Sequence, residues 1–167
     1  MISNRANSLA ASETLKITAL AKEMKRAGKS VVSLSAGEPD FKTPDHICEA
    51  AIQAIRDGHH GYTVNAGTPE LREAISAKLK RDNALSYTPD QIIVSNGAKQ
   101  SVGFTLLAIL NPGDEVIIPA PYWVSYPEMV KLGDGVSVII RTSFETHFKL
   151  TPEQLEQAIT PKTKALI

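Results

Sequence analysis

The sequence predicts an α/β fold: a three-layer sandwich whose mostly parallel sheet is covered by helices on both faces, preceded by an N-terminal helical segment. Two observations predict it. From Gln91 onward, short apolar runs rich in Val and Ile alternate with amphipathic helical patterns. Such alternation implies right-handed crossovers between parallel strands. Turn-forming groups such as Asn111-Pro112-Gly113-Asp114 punctuate the alternation.

The first helix is expected from Ser12 to Ala27, with Ser12 as N-cap and Gly28 at C′. Ile17, Leu20, Ala21 and Met24 give it one apolar face. Ser30 to Ser35 reads as a short strand. It enters a breaker-rich loop, Ala36-Gly37-Glu38-Pro39-Asp40-Phe41-Lys42-Thr43-Pro44, and loops of this kind often carry function. The second helix is expected to start with Thr43 as cap and Pro44 at its first position, and to end at Gly58. His59 to Gly67 has no periodicity. Thr68-Pro69 then opens a third helix with Leu71, Ala74, Ile75 and Leu79 inward.

The alternation proper follows. Strands are expected at Gln91–Ser95, Glu115–Pro119, Val136–Arg141 and from Thr163 to Ile167; helices at Ala98–Leu110, Val124–Leu132 and Thr151–Ile159. Because the last strand is apolar and sheet edges are a liability, a longer protein continuing beyond Ile167 is expected.

Composition narrows the function. Lys+Arg and Asp+Glu number 18 each in 167 residues, with no run of like charge, so nothing points to nucleic acid. Cys48 is the one cysteine, which excludes an intramolecular disulfide, and the four histidines show no metal-ligand spacing. The N-terminus lacks the apolar core of a signal peptide and no apolar run has membrane-spanning length. A cytoplasmic location is the expectation.

Two segments can carry chemistry. At Ile92-Ile93-Val94-Ser95-Asn96-Gly97-Ala98-Lys99-Gln100 an apolar run meets an Asn-Gly turn and becomes a helix. The first N–H groups of that helix lack intrahelical partners and sit at the positive end of its dipole. Main-chain N–H groups of Gly97, Ala98 and Lys99 can hold a phosphate there, although strand–Gly–helix turns also occur for structural reasons alone. Neither a Walker A pattern nor GxGxxG is present. Pro121-Tyr122-Trp123 follows the next strand at its C-terminal end, where open parallel sheets bind ligands. The indole of Trp123, the only tryptophan, can stack on a planar ring or roof the sheet. A phosphate cradle beside an aromatic plate suits pyridoxal phosphate and flavin mononucleotide alike.

Five blocks go further. Ser35-Ala36-Gly37-Glu38-Pro39-Asp40-Phe41-Lys42-Thr43-Pro44 resembles the opening signature of class I aminotransferases, fold type I of the pyridoxal-phosphate enzymes. Tyr62 with Ala66-Gly67-Thr68-Pro69-Glu70-Leu71-Arg72 resembles the next block of that family, followed by Asn96-Gly97-Ala98-Lys99-Gln100, Asn111-Pro112-Gly113-Asp114-Glu115-Val116 and Pro121-Tyr122-Trp123-Val124-Ser125-Tyr126-Pro127. The order and spacing are similar to those of aspartate aminotransferases of the shorter-signature bacterial branch.

The resemblance implies pyridoxal 5′-phosphate as cofactor and an amino acid, aspartate or glutamate, and a 2-oxo acid as substrates. It implies that Gly97, Ala98 and Lys99 hold the cofactor phosphate and that Trp123 stacks on the pyridine ring and borders the substrate. Gly37 would offer its N–H to the substrate α-carboxylate. Tyr62 would reach the phosphate of a second subunit, which implies a homodimer. The Ala120–Pro121 bond is expected to be cis. Residues 1–43 would form an arm and the start of a small domain, and residues 44–167 the first part of the large cofactor-binding domain.

No catalytic residue is assigned in this chain. The Schiff-base lysine, an acidic partner for the pyridine nitrogen, a carboxylate-binding arginine and an asparagine at the ring hydroxyl would all lie beyond Ile167, so the chain alone is expected to be inactive. Lys99 is not that lysine; its main chain is expected to matter more than its amine. Cys48 is expected to be a small buried hydrophobe. His59 and His60 suit a helix C-terminus, and Glu38 and Asp40 are given no acid–base role. Family members that also accept prephenate tend to carry a basic residue just before the Ser-x-Thr, so by resemblance Ala10-Ala11 ahead of Ser12-Glu13-Thr14 mildly disfavour that activity. The competing readings are a carbon–sulfur lyase or cyclopropane-carboxylate synthase on the same scaffold, a ligand-sensing regulator domain, and a stand-alone phosphate-binding module.

Overall fold

Helix signals in the sequence mature into helices with defined ends. The computed structural model describes residues 1–37 and 39–167; Glu38 and its expected lack of an acid–base role lie outside them. Helix α1 (Asn4–Asn7) is one turn, and α2 spans Glu13–Arg26. Ser12 caps α2 through its hydroxyl, which accepts from Leu15 N–H at 3.4 Å. The α2 C-terminus closes with Lys29 N–H to Met24 C=O and Gly28 N–H to Lys25 C=O, both 3.0 Å, the Schellman pattern expected with glycine at C′. Helix α3 is Asp45–Arg56 and α4 is Pro69–Asn83. Thr68 caps α4 with its side chain on Leu71 N–H, and Pro69 occupies the first turn.

One start shifts by a residue. The N-cap of α3 is Pro44 itself, with ψ near 140°, rather than Thr43. The Pro44 carbonyl accepts from Ile47 N–H at 2.9 Å, so proline here serves as the half-extended residue before the helix.

Two expected strands do not form. Ser30–Ser35 has no ladder partner among the described residues, and Val32 and Leu34 are exposed. Gln91 closes a short 3₁₀ turn, Pro89–Gln91, and Ile92–Ser95 stays irregular. Its backbone bonds include Ile92 N–H to Pro89 C=O at 3.2 Å and Val94 N–H to Ala66 C=O at 2.9 Å. A strand exists through its ladder, and β-propensity in Ile92-Ile93-Val94 cannot supply one.

The remaining elements fall within a residue or two of expectation. Helix α5 is Ala98–Ile109, β1 Glu115–Ala120, α6 Ser125–Leu132, β2 Val136–Arg141, α7 Pro152–Ala158 and β3 Thr163–Leu166. Asp114 N–H bonds Asn111 C=O at 3.0 Å with Pro112 and left-handed Gly113 between them, a type II turn. Thr151 and Gln154 form a reciprocal capping box at the start of α7.

The three strands form one parallel sheet in the order β2-β1-β3. The chain moves outward from β1 to β2 and then back across β1 to β3. With right-handed crossovers, that reversal puts α6 and α7 on opposite faces. Burial agrees: Val116 and Ile118 point one way, Ile117 the other, and all three are 0% exposed. Val116 and Ile118 pack with Leu106, Met129 and Val130 in the main core.

The chain divides into two compact units, Met1–Leu20 with Gly97–Ile167, and Ala21–Asn96. This differs from the boundary expected after Thr43, which concerns the domains of a longer protein. Among the described residues, no helix is long and apolar enough to cross a membrane, and no three His, Cys, Asp or Glu residues are grouped to hold a metal. Cys48 is half-buried, its thiol 3.7 Å from the Thr43 carbonyl oxygen.

Candidate functional site

The helix start at Gly97 explains why glycine is there. Its φ of 83° and ψ of 161° lie in a region essentially restricted to glycine. As N-cap it uses no side chain, while its carbonyl accepts from Gln100 N–H at 3.1 Å. The N–H groups of Ala98 and Lys99 fall in the first turn of a twelve-residue helix, where no intrahelical acceptor exists. Ala98 presents only a methyl group.

Trp123 enters from the end of β1. That end is pinned: both the N–H and the hydroxyl of Thr142 donate to Ala120 C=O. The Ala120–Pro121 bond is cis. The indole is 43% exposed. Tyr126 meets it edge-on, with centroids 5.4 Å apart and planes at 88°, and the Lys99 ammonium lies 4.7 Å from its centroid. Lys99 therefore belongs to the helix start through its main chain and to the indole through its side chain. The glycine turn and the aromatic plate are neighbours within one compact unit.

Gly37 and Tyr62 belong to the other unit. Both are exposed, and Tyr62 projects fully into solvent at 111% relative exposure. Within that unit, Gly67 is required on two counts. Its φ is +99°, and a Cβ there would come 2.5 Å from Val94 Cγ2. Arg72, in the same sequence block, is mostly buried and donates to Pro89 C=O at 3.1 Å.

Sequence reasoning missed two participants, the Lys99 amine and the Tyr126 ring. The three-residue spacing of Trp123 and Tyr126 was an available signal, since the turn leading into α6 bonds Tyr126 N–H to Trp123 C=O at 3.0 Å. No local signal connects Lys99 to Trp123, which are separated by a helix, a turn and a strand.

Comparison with known proteins decides the family. The model of the aminotransferase class I and II family matches residues 29–167. The chain belongs to that family. It is 58% identical over 166 residues to the bifunctional aspartate aminotransferase and glutamate/aspartate-prephenate aminotransferase of Petunia hybrida, covering 99% of this chain and 35% of the relative. It is 54% identical to the aspartate aminotransferase of Geobacillus stearothermophilus, covering 99% of this chain and 42% of the relative. The chain thus spans about two-fifths of the length of these curated relatives. Among solved structures, the Thermus thermophilus aspartate aminotransferase with maleate matches with a TM-score of 0.96 at 49% identity, and the Rhizobium meliloti enzyme with 0.94 at 49%. Each match covers 99% of this chain, and 44% and 42% of those chains respectively. The α/β expectation and the family resemblance are both borne out.

Proposed function

We propose that this chain is part of an aminotransferase that moves an amino group from an amino acid, aspartate or glutamate, to a 2-oxo acid. The observation that carries this reading is the neighbourhood of the Gly97 turn and the Trp123 indole, bridged by Lys99 at 4.7 Å. The family uses pyridoxal phosphate, and the residues here suit its two ends. A glycine-started helix with small residues in its first turn fits a phosphate dianion. A partly exposed indole fits a planar pyridine ring. When bound, that group supplies an electron sink.

The chain's own residues hold and orient. Main-chain N–H groups of Gly97, Ala98 and Lys99 fix the phosphate, and Trp123 covers one face of the ring and excludes water from it. Gly37 N–H binds the substrate α-carboxylate. Tyr62, fully exposed here, reaches the phosphate of a second subunit in a cytoplasmic homodimer. Residues 1–43 form the arm and the start of a small domain, and residues 44–167 begin the large domain. Proton transfer and the covalent attachment of the cofactor fall to residues outside this chain.

The test uses the full-length protein. Pyridoxal phosphate should give a visible absorption band that disappears on borohydride reduction. Single-turnover amino transfer from a panel of amino acids should rank aspartate and glutamate first. Rates within a few-fold for all donors would defeat the acidic-donor reading, and absence of any band would defeat the cofactor. Prephenate is expected to be a poorer acceptor, because Ala10-Ala11 stand where prephenate-accepting family members tend to carry a basic residue.

A further inference from the structure

The first twelve residues have little of their own to hold them. Helix α1 is a single four-residue turn with no buried residue, far shorter than a helix that persists unaided. Leu9, Ala10 and Ala11 are exposed, and no helix or strand includes them.

What orders this arm is α6 and the turn after it. Arg5 makes a two-point contact with the Asp134 carboxylate, at 3.1 and 2.7 Å. Lys131 Nζ donates to Ser8 C=O at 3.3 Å. Glu128 Oε2 accepts from Ala10 N–H at 2.9 Å, while its other oxygen pairs with Lys131 at 3.0 Å. Arm positions 5, 8 and 10 meet positions 134, 131 and 128 in turn, so the arm runs antiparallel to α6. Glu128 and Lys131 stand three residues apart in α6, which places them on one side of the helix, and Asp134 follows in the turn after it.

Beside this clasp is a cavity of about 350 Å³. One wall is the arm at Ala10, Ser12 and Glu13; the other includes Tyr122, Ser125 and Glu128. Glu128 is therefore both a clasp and part of the wall. Most exposed ion pairs contribute little, and Arg5–Asp134 is of that kind. A carboxylate accepting a main-chain N–H is the stronger, charge-assisted type, and Glu128 is the less exposed partner.

We propose that the arm is a strap and that Glu128 is its positioning residue, holding Ala10 and with it the arm-side wall of the cavity against Tyr122 and Ser125. The inference uses contacts within one compact unit and does not depend on the cofactor or the amino donor. Release of Glu128 opens the cavity while leaving the sheet intact.

Hydrogen exchange on the full-length protein tests it. Glu128→Ala should speed exchange of the Ala10 amide by roughly tenfold, with α6 and β1 unchanged. Glu128→Gln retains an oxygen acceptor for Ala10 but not the charge, and should recover part of the protection. Glu13→Gln, whose wild-type carboxylate pairs with Lys16 on its own helix at 2.7 Å, should leave the Ala10 rate unaltered. If Glu128→Ala does not fold, Lys131→Met decides: local acceleration at Ser8 to Ala10 supports the strap. Wild-type rates at Ala10, or protection lost equally through α6 and β1, would overturn it.

Discussion

The two compact units differ in what their apolar residues accomplish. In the unit containing the sheet, Val116, Ile117, Ile118 and Val130 are all 0% exposed. In Ala21–Asn96, the buried apolar residues among those described are Ala21 and Ile92, while Ile47, Ile52, Ile55 and Leu71 remain exposed. The apolar periodicity of α3 is in fact stronger than that of α5. The difference is that strands and crossover helices close a core with one another, whereas an isolated amphipathic helix has only half of an interface. A pattern of apolar residues thus marks which face will be covered, and says nothing of what covers it.

The sharpest challenge to this comparison is Ile118→Ala against Ile55→Ala. The first removes side-chain volume from a closed core and should cost about 2–5 kcal/mol. The second, on an exposed face, should cost less than about 1 kcal/mol in the 167-residue chain. Urea denaturation of both variants measures the gap. Equal losses would break the comparison, and a larger Ile55 loss in the full-length protein would show that its face is covered there.

Gly67→Ala probes a close contact in the other unit. A left-handed backbone and a 2.5 Å approach to Val94 Cγ2 should together cost about 1–3 kcal/mol. Adding Val94→Ala relieves the clash but not the backbone strain, so thermal unfolding should recover only in part. Full recovery would mean that φ contributes nothing.

Within the sheet unit, Lys99→Met removes the cation from Trp123, a loss of about 0.5–1 kcal/mol. Trp123 is the chain's only tryptophan, so acrylamide quenching reads its exposure directly. Quenching should increase for Lys99→Met and stay near wild type for Lys99→Arg.

The smallest effect is on the arm. The Ala10 N–H, assisted by Lys131, holds the Glu128 carboxyl below its ordinary value of 4.5, against a partial opposing effect of burial. The carboxylate is the form that binds, so this stabilisation is complete above the unfolded value and is lost as pH falls through the lowered folded one. Ala10 amide exchange, corrected for its intrinsic pH dependence, should lose protection only on the acid side of 4.5. A loss beginning near neutrality would implicate another group.

Much of this was legible in advance, and the failures share a cause. Ser12, Thr68 and Gly28 marked helix ends because capping is settled by a few adjacent residues. Gly97 announced its turn for the same reason, since its φ and ψ exclude other residues locally. Ser30–Ser35 and Ile92–Ser95 misled because a strand depends on a partner distant in sequence. Lys99 over Trp123 was invisible for that reason too, as was Glu128 beneath Ala10.

By itself the sequence determined where helices start and stop, which faces are apolar, the parallel alternation after Asn96, and the family through five ordered blocks. Only the tertiary structure decided the order β2-β1-β3, the burial of β1 on both faces, the approach of the Lys99 amine to the indole, and the antiparallel clasp of the arm on α6. Local sequence sets backbone dihedrals and first-turn hydrogen bonds through neighbours a few residues apart. Ladders, ring contacts and long-range ion pairs depend on where the completed chain brings distant residues together.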